Sequence, residues 1–154
     1  MNTTSSRMGL GLFLLLGLIG AIFPVSALAR DRDSGFAMCL DKGYSPSDCA
    51  KDGSYAYGRC IQKGYLPTDC APRSDVGYAM CIEKGYLPTD CNPNGTQAYG
   101  RCIQKGYLPT DCAPRSDVGY AMCIEKGYLP TDCNPNGSYG YGKCIQKGYL
   151  PTDC

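Results

Sequence analysis

Twelve cysteines are the residues of this chain whose type and spacing could do chemistry. They form two series that each advance by 21 residues, and a C-x9-C pair recurs six times. Cysteines in this arrangement could coordinate a metal ion or form disulfides. The C-x9-C spacing differs from the C-x2-C spacing with which two thiolates coordinate one tetrahedral ion. We therefore expect disulfides, no metal site and no cofactor. The two series are Cys39, Cys60, Cys81, Cys102, Cys123 and Cys144, and Cys49, Cys70, Cys91, Cys112, Cys133 and Cys154.

Two disulfide pairings fit this even spacing. One joins the two cysteines of each unit and uses all twelve. The other joins each unit's second cysteine to the first cysteine of the next unit, which leaves Cys39 and Cys154 free for covalent head-to-tail growth. Connectivity does not follow from sequence alone. We favour the pairing within units because it leaves no odd thiol and because a Gly-Tyr-x-Pro segment reverses the chain between the two cysteines.

The composition excludes several kinds of chemistry. The chain has no histidine, which removes Ser-His-Asp and Cys-His catalysis and histidine zinc sites. Its net charge of +1 does not suit an electrostatic binder of nucleic acid or of a membrane. Nearly every Asp, Lys and Tyr recurs in the other units, whereas an active site needs residues in one special position. We therefore do not expect an enzyme.

Two rows of repeated residues are candidates for ligand binding. An exposed ladder of tyrosine rings beside lysines would suit stacking on sugars or adhesion to a surface. The alternatives are that the tyrosines pack between units and that the lysines complement helix dipoles at helix ends. The rows are Lys42, Lys63, Lys84, Lys105, Lys126 and Lys147, and Tyr44, Tyr65, Tyr86, Tyr107, Tyr128 and Tyr149.

Other repeated polar residues have simpler interpretations. An aspartate precedes the second cysteine of every unit, and such a row could hold Ca²⁺ if the units stack in register. An Asp that follows Thr or Ser more simply caps a turn. Asn94-Gly95-Thr96 and Asn136-Gly137-Ser138 match the N-glycosylation pattern, although Asn-Gly also marks turns.

The first 29 residues have the pattern of a secretory signal peptide. Arg7 supplies the positive charge, residues 8–22 form an uncharged apolar run, and Ala27-Leu28-Ala29 predicts cleavage after Ala29. The alternative is a membrane anchor, but the run is shorter than the roughly 20 residues that a span requires. The sequence thus predicts a secreted protein, in the periplasm, at the cell surface or outside the cell.

The remaining residues, 30–154, cannot form an ordinary hydrophobic core. Only 14 of these 125 residues are Leu, Ile, Val or Phe, well below the roughly 20% that a core usually requires. Disulfides must supply the missing stability. Six units follow one another without insertion, and a 42-residue period is superimposed, because residues 60–95 are identical to residues 102–137.

Each unit is predicted to form one short helix and a return turn. In the third unit Ser74 or Asp75 caps a helix of about nine residues that ends at Gly85. Tyr78, Cys81 and Ile82 share one helix face, which we expect to meet the next unit. The predicted fold class is small, disulfide-rich and mainly α: a tandem array, or short solenoid, of six 21-residue helix-turn units forming one elongated domain.

The ends of the array predict self-association. The first unit departs most from the others, as capping repeats do, whereas no cap is visible after the sixth. Head-to-tail contact would extend the array into filaments. We expect the two junctions to lie near Tyr141, Cys144, Ile145 and Tyr149, and near Phe36, Cys39 and Leu40.

Together these features predict a structural or adhesive repeat protein of a cell surface, envelope or extracellular assembly. One alternative is a multivalent module that binds glycan or another envelope component through the Tyr and Lys rows. Another is a precursor of small disulfide peptides, against which the absence of dibasic sites counts. We expect no nucleic-acid partner and no membrane contact once the leader is removed.

Overall fold

Six short helices follow one another in the structure, a computed structural model that describes residues 27–154. The last three residues of the predicted leader begin the first helix, and the rest of the leader lies outside the described residues. The helices are α1 (Ala27–Asp41), α2 (Tyr55–Gln62), α3 (Val76–Lys84), α4 (Gln97–Gln104), α5 (Val118–Lys126) and α6 (Tyr139–Gln146), followed by a 3-10 turn at Pro151–Asp153.

Each unit is closed by its own disulfide, which confirms the pairing within units. The two Cα atoms of each bridge lie 5.8–5.9 Å apart, and no described cysteine is free. Disulfides at this density are typical of proteins that fold in an oxidising compartment. The bridges are Cys39–Cys49, Cys60–Cys70, Cys81–Cys91, Cys102–Cys112, Cys123–Cys133 and Cys144–Cys154.

The helices begin and end where the sequence predicts. The hydroxyls of Ser54, Thr96 and Ser138 accept a hydrogen bond from a backbone N–H three residues on, which satisfies one free donor of the first turn. Asp75 is the N-cap residue of α3, but its side chain makes no capping bond. A left-handed glycine with φ between 95° and 105° stops every helix.

A buried tyrosine joins each unit to the one before it. The hydroxyl of Tyr78 accepts a hydrogen bond from the backbone N–H of Ala71 at 3.2 Å and lies 3.6 Å from the Sγ of Cys60, in the preceding unit. Tyr57, Tyr120 and Tyr141 make the same pair of contacts. The tyrosine thus contacts the preceding unit. The sequence instead predicted that its helix face would meet the next unit.

The core runs along the whole array instead of forming one centre. In each inner unit the tyrosine, the isoleucine that follows the first cysteine, and both cysteines are buried. Each helix contacts the next helix in the chain, so every unit uses its neighbours to bury its few apolar side chains. The described residues contain no strand, and the predicted disulfide-rich, mainly α tandem array is confirmed.

The first kind of contact between units, which we call the Met–Gly interface, joins α1 to α2, α3 to α4 and α5 to α6. In the middle pair, the side chain of Met80 packs directly over Gly100, where a Cβ would overlap it. The backbone N–H of Gly77 donates to the carbonyl of Gly95 at 2.8 Å. A Cβ at Gly77 would overlap the carbonyl oxygens of Thr96 and Gly95, so glycine is required for this close approach.

The second kind, the Arg–Glu interface, joins α2 to α3 and α4 to α5. The guanidinium of Arg59 donates to Glu83 at 2.7 Å and also to the Oε1 of Gln62 at 3.1 Å. Arg101 likewise forms an ion pair with Glu125. Cavities of about 230 and 260 Å³ lie along the contact between α4 and α5.

The two interfaces alternate, and this alternation accounts for the 42-residue period. Units two, four and six have glycine where the others have alanine, immediately before Arg or Lys and the first cysteine. Units one, three and five have methionine at the next position and a carboxylate two residues after that cysteine. Among residues 27–154 no helix is both long and apolar enough to cross a bilayer.

Candidate binding surface

One edge of the array repeats the same surface in units two to six, and we call it the Lys-Tyr-Leu edge. It is formed where each helix ends and the chain reverses, by the segment Lys-Gly-Tyr-Leu-Pro-Thr-Asp in units two to six. The left-handed glycine ends the helix, and the proline prevents the helix from resuming. The backbone N–H of each aspartate then donates to the carbonyl three residues earlier at 3.0 Å, which closes the turn.

The predicted lysines lie on this edge with their charges in solvent. Where a contact is formed, the Nζ donates to a carbonyl in the last turn of the next helix: Lys42 to Gln62, Lys63 to Glu83 and Lys84 to Gln104, at 3.2–3.5 Å. A cation there complements the negative end of the helix dipole, but in the neighbouring unit and not in its own. The lysines therefore connect units as well as presenting charge.

The predicted tyrosines are less exposed than a ladder for stacking requires. Tyr44, Tyr65, Tyr86, Tyr107 and Tyr128 are half-buried against the core. The hydroxyls of Tyr65 and Tyr107 donate to the carbonyls of the next unit's Tyr86 and Tyr128 at 3.3 Å. These two hydroxyl contacts favour the alternative in which the tyrosines pack between units. Tyr149, in the sixth unit, is 58% exposed.

A row of leucines forms the apolar part of the edge, and the sequence analysis did not identify it. These leucines are each 54–55% exposed, whereas the prolines that follow them are more buried. One exposed leucine is ordinary, but here an exposed leucine recurs at the same position of five successive units. The sequence signal is a large aliphatic residue in an otherwise polar turn, repeated in five units and replaced by Ser45 in the first. The row is Leu66, Leu87, Leu108, Leu129 and Leu150.

The aspartates of the edge serve the turn, as the simpler interpretation predicted. The Thr68 hydroxyl donates to the Asp69 carboxylate at 3.4 Å, and Thr110 and Thr152 repeat this contact. In the first unit Ser45 donates to Asp48 at 2.7 Å. Within the described part of the chain, no group of three or more metal-ligating side chains is close enough to hold an ion.

Two electrostatic features lie away from the edge. Burial raises the pKa of Tyr78, Tyr99 and Tyr120, because a tyrosinate there would lose its hydration; a backbone N–H donor opposes this in part. The hydrogen bond to Glu83 raises the pKa of Arg59. Both effects arise at contacts between units.

The two glycosylation patterns lie in loops that connect units. Asn94 and Asn136 are exposed, and the backbone N–H of each bonds to the side-chain oxygen of Asn92 or Asn134 at 3.0 Å. The hydroxyls of Thr96 and Ser138 cap the following helices. These segments are turns, as Asn-Gly predicts.

Comparison of the chain with protein-family models, with curated proteins and with solved structures finds no match.

Proposed function

We propose that this chain is a secreted structural or adhesive protein of a cell surface, envelope or extracellular assembly, and that it associates head to tail. The observation that carries the proposal is the Lys-Tyr-Leu edge. Six disulfide-closed units of the same helix-turn design present lysines and, in five of them, a half-exposed leucine on one side of the scaffold. A row of equal, weak contacts is suited to adhesion, because contacts held at fixed spacing act together.

The scaffold supports this role through its stiffness. A disulfide that closes a ten-residue separation contributes about 3 kcal/mol in the chain-entropy model, and each unit has one. Each unit is also bonded to the next through main-chain carbonyls, such as that of Pro72, which accepts the backbone N–H of Ser54 at 2.8 Å. The spacing of the edge is thus fixed before it meets a surface, which lowers the entropic cost of binding.

Adsorption on chemically defined surfaces tests the adhesive role. The double variant Leu87→Ser, Leu129→Ser removes two leucines of the edge and installs the residue that the first unit already has there. The matched control is Val76→Ser, Val118→Ser, which removes two equally exposed aliphatic side chains at the opposite ends of the same two helices. Binding to methyl-terminated and carboxylate-terminated monolayers is measured with a quartz crystal microbalance.

We expect the leucine variant to bind the methyl surface about thirtyfold less than the parent, since half-burying each of the two leucines contributes about 1 kcal/mol. The valine control should bind like the parent. Equal losses in both variants would mean that adsorption is non-specific, and no loss in either would refute the role of the edge. Mass spectrometry of native secreted material, with and without reductant, tests export, the cleavage site and the intact bridges.

A further inference from the structure

The outer face of the sixth unit, the face turned away from the fifth, carries half of an Arg–Glu interface. Lys143 occupies the position of Arg59 and Arg101, and its Nζ donates to the Oε1 of Gln146 at 3.2 Å, as Arg59 does to Gln62. Tyr149 occupies the position of Tyr65 and Tyr107, whose hydroxyls donate to the next unit. The two side chains that donate hydrogen bonds across an inner Arg–Glu interface thus have counterparts on this face. No carboxylate of the described chain pairs with Lys143.

The first unit carries the other half. Asp41, the last residue of α1, occupies the position of Glu83 and Glu125, and its side chain is exposed. The position of Tyr86, whose carbonyl accepts the Tyr65 hydroxyl, is occupied here by Tyr44. The side chains of Lys143 and Asp41 are shorter than the arginine and glutamate of the inner ion pairs. They carry the same signs of charge as those pairs.

We propose that a second copy of this chain docks its first unit on the outer face of the sixth unit through an Arg–Glu type interface, with Lys143 paired to Asp41 and the Tyr149 hydroxyl donating to the Tyr44 carbonyl. This rests on the head-to-tail association of the proposed function and specifies its contacts. The alternation of the two interfaces indicates which one forms this junction. Within the array an even unit is followed by an odd unit through Arg–Glu contacts, so the Met–Gly interface is not used at the junction.

The side chains proposed to make the contacts are exposed. A concave region of about 670 Å³ lies between the loop that precedes α6 and the C-terminal turn, with Asn134, Ser138 and Cys154 among its lining residues, and it does not include Lys143 or Tyr149. Tyr141 and Ile145, which the sequence places at this junction, are both already buried within the sixth unit. The exposed side chains that remain available include Lys143 and Tyr149.

The junction should be weaker than an inner interface. Phe36 replaces the buried tyrosine whose hydroxyl, in the following units, bonds to a backbone N–H and lies against the preceding Sγ. Without that hydroxyl, and without a covalent connection, association is reversible and rises with concentration.

Charge reversal tests the proposal on the oxidised chain. Lys143→Glu places two carboxylates at the junction, and Asp41→Lys places two amines there, so each variant alone should associate more weakly than the parent. We expect about a fivefold or greater loss for each, the upper end of what an exposed ion pair contributes. An equimolar mixture of the two variants restores opposite charges at every mixed junction and should recover association.

Light scattering and sedimentation over a concentration series give the association constants. Lys51→Glu and Asp75→Lys make the same changes of net charge at exposed positions outside both the junction and the Lys-Tyr-Leu edge, and serve as controls. Recovery in the mixture, with both controls like the parent, supports the contacts. If the parent associates and both charge-reversal variants associate equally well, the proposed contacts are wrong but self-association stands. A parent that stays monomeric at all concentrations overturns both.

Discussion

Replacing Gly77 by alanine should destabilise the contact between the third and fourth units. Gly77 lies in the first turn of α3, and its N–H donates to the Gly95 carbonyl at 2.8 Å. An added Cβ would overlap the carbonyl oxygens of Thr96 and Gly95, which belong to backbone and cannot rotate away. The two units must therefore separate.

The magnitude follows from three contributions. Overpacking a closed contact costs about 1–3 kcal/mol, and weakening the hydrogen bond to Gly95 costs about 1 kcal/mol. Alanine offsets at most about 1 kcal/mol through its better helix propensity. The net loss is about 1–3 kcal/mol, placed at one Met–Gly interface.

Gly140 provides the matched control. It occupies the same position in the first turn of α6, but a Cβ there meets only the Ser138 hydroxyl oxygen, at 3.5 Å. The corresponding residues Ala56 and Ala98 show that other units accept alanine. Gly140→Ala should therefore leave stability unchanged or raise it by up to about 1 kcal/mol.

Urea denaturation followed by circular dichroism, with all bridges intact, measures both variants. Because stability in an array is partly local, hydrogen exchange of the amides in α3 and α4 reports the affected interface directly. Faster exchange there, and not in α5 or α6, is the expected result for Gly77→Ala. If Gly77→Ala were as stable as Gly140→Ala, the close approach of the two backbones would not control the packing of this interface.

Two further results are expected. Full reduction should abolish the helical circular dichroism at ambient temperature, while EDTA should leave it unchanged, because bridges worth about 3 kcal/mol each replace the missing core; helicity that survives complete reduction would contradict this. Alkaline pH should also destabilise the array, since burial raises the pKa of Tyr78, Tyr99 and Tyr120. Above about pH 10 the tyrosines of the unfolded chain lose their protons, whereas those buried in the folded array keep theirs. The free energy of unfolding is therefore unaffected below that pH and decreases as the pH rises through the folded-state pKa values. Unfolding by urea at a series of pH values measures it, and a midpoint that stays constant above about pH 10 would refute the effect.

The unit itself was predictable because its determinants are local. The glycine in position to end each helix, the proline after it and the caps at its start act within a few residues. Their recurrence every 21 residues also gave the number of units. The disulfide pairing was predictable only as a preference, because both pairings satisfy the spacing and only the folded turn brings the cysteines of one unit together.

The character of the candidate site was harder to predict. The sequence places Tyr65 and Leu66 side by side, but not their burial. In the structure Tyr65 turns inward and bonds to the next unit, while Leu66 remains half-exposed. The burial of a tyrosine depends on where the neighbouring unit lies. The sequence of one repeat therefore cannot show whether its tyrosine ring packs between units or is exposed for ligand binding.

The sequence by itself determined the unit, its period of 21, the doubled period of 42 and the disulfide-rich character of the chain, because these follow from short-range chemistry and composition. Only the tertiary structure decided what the doubled period means. Met80 over Gly100 and Arg59 beside Glu83 are contacts between residues 20 to 24 positions apart. Such pairs meet only once the units have stacked, so the alternation of interfaces is a property of the assembled array and not of any one repeat.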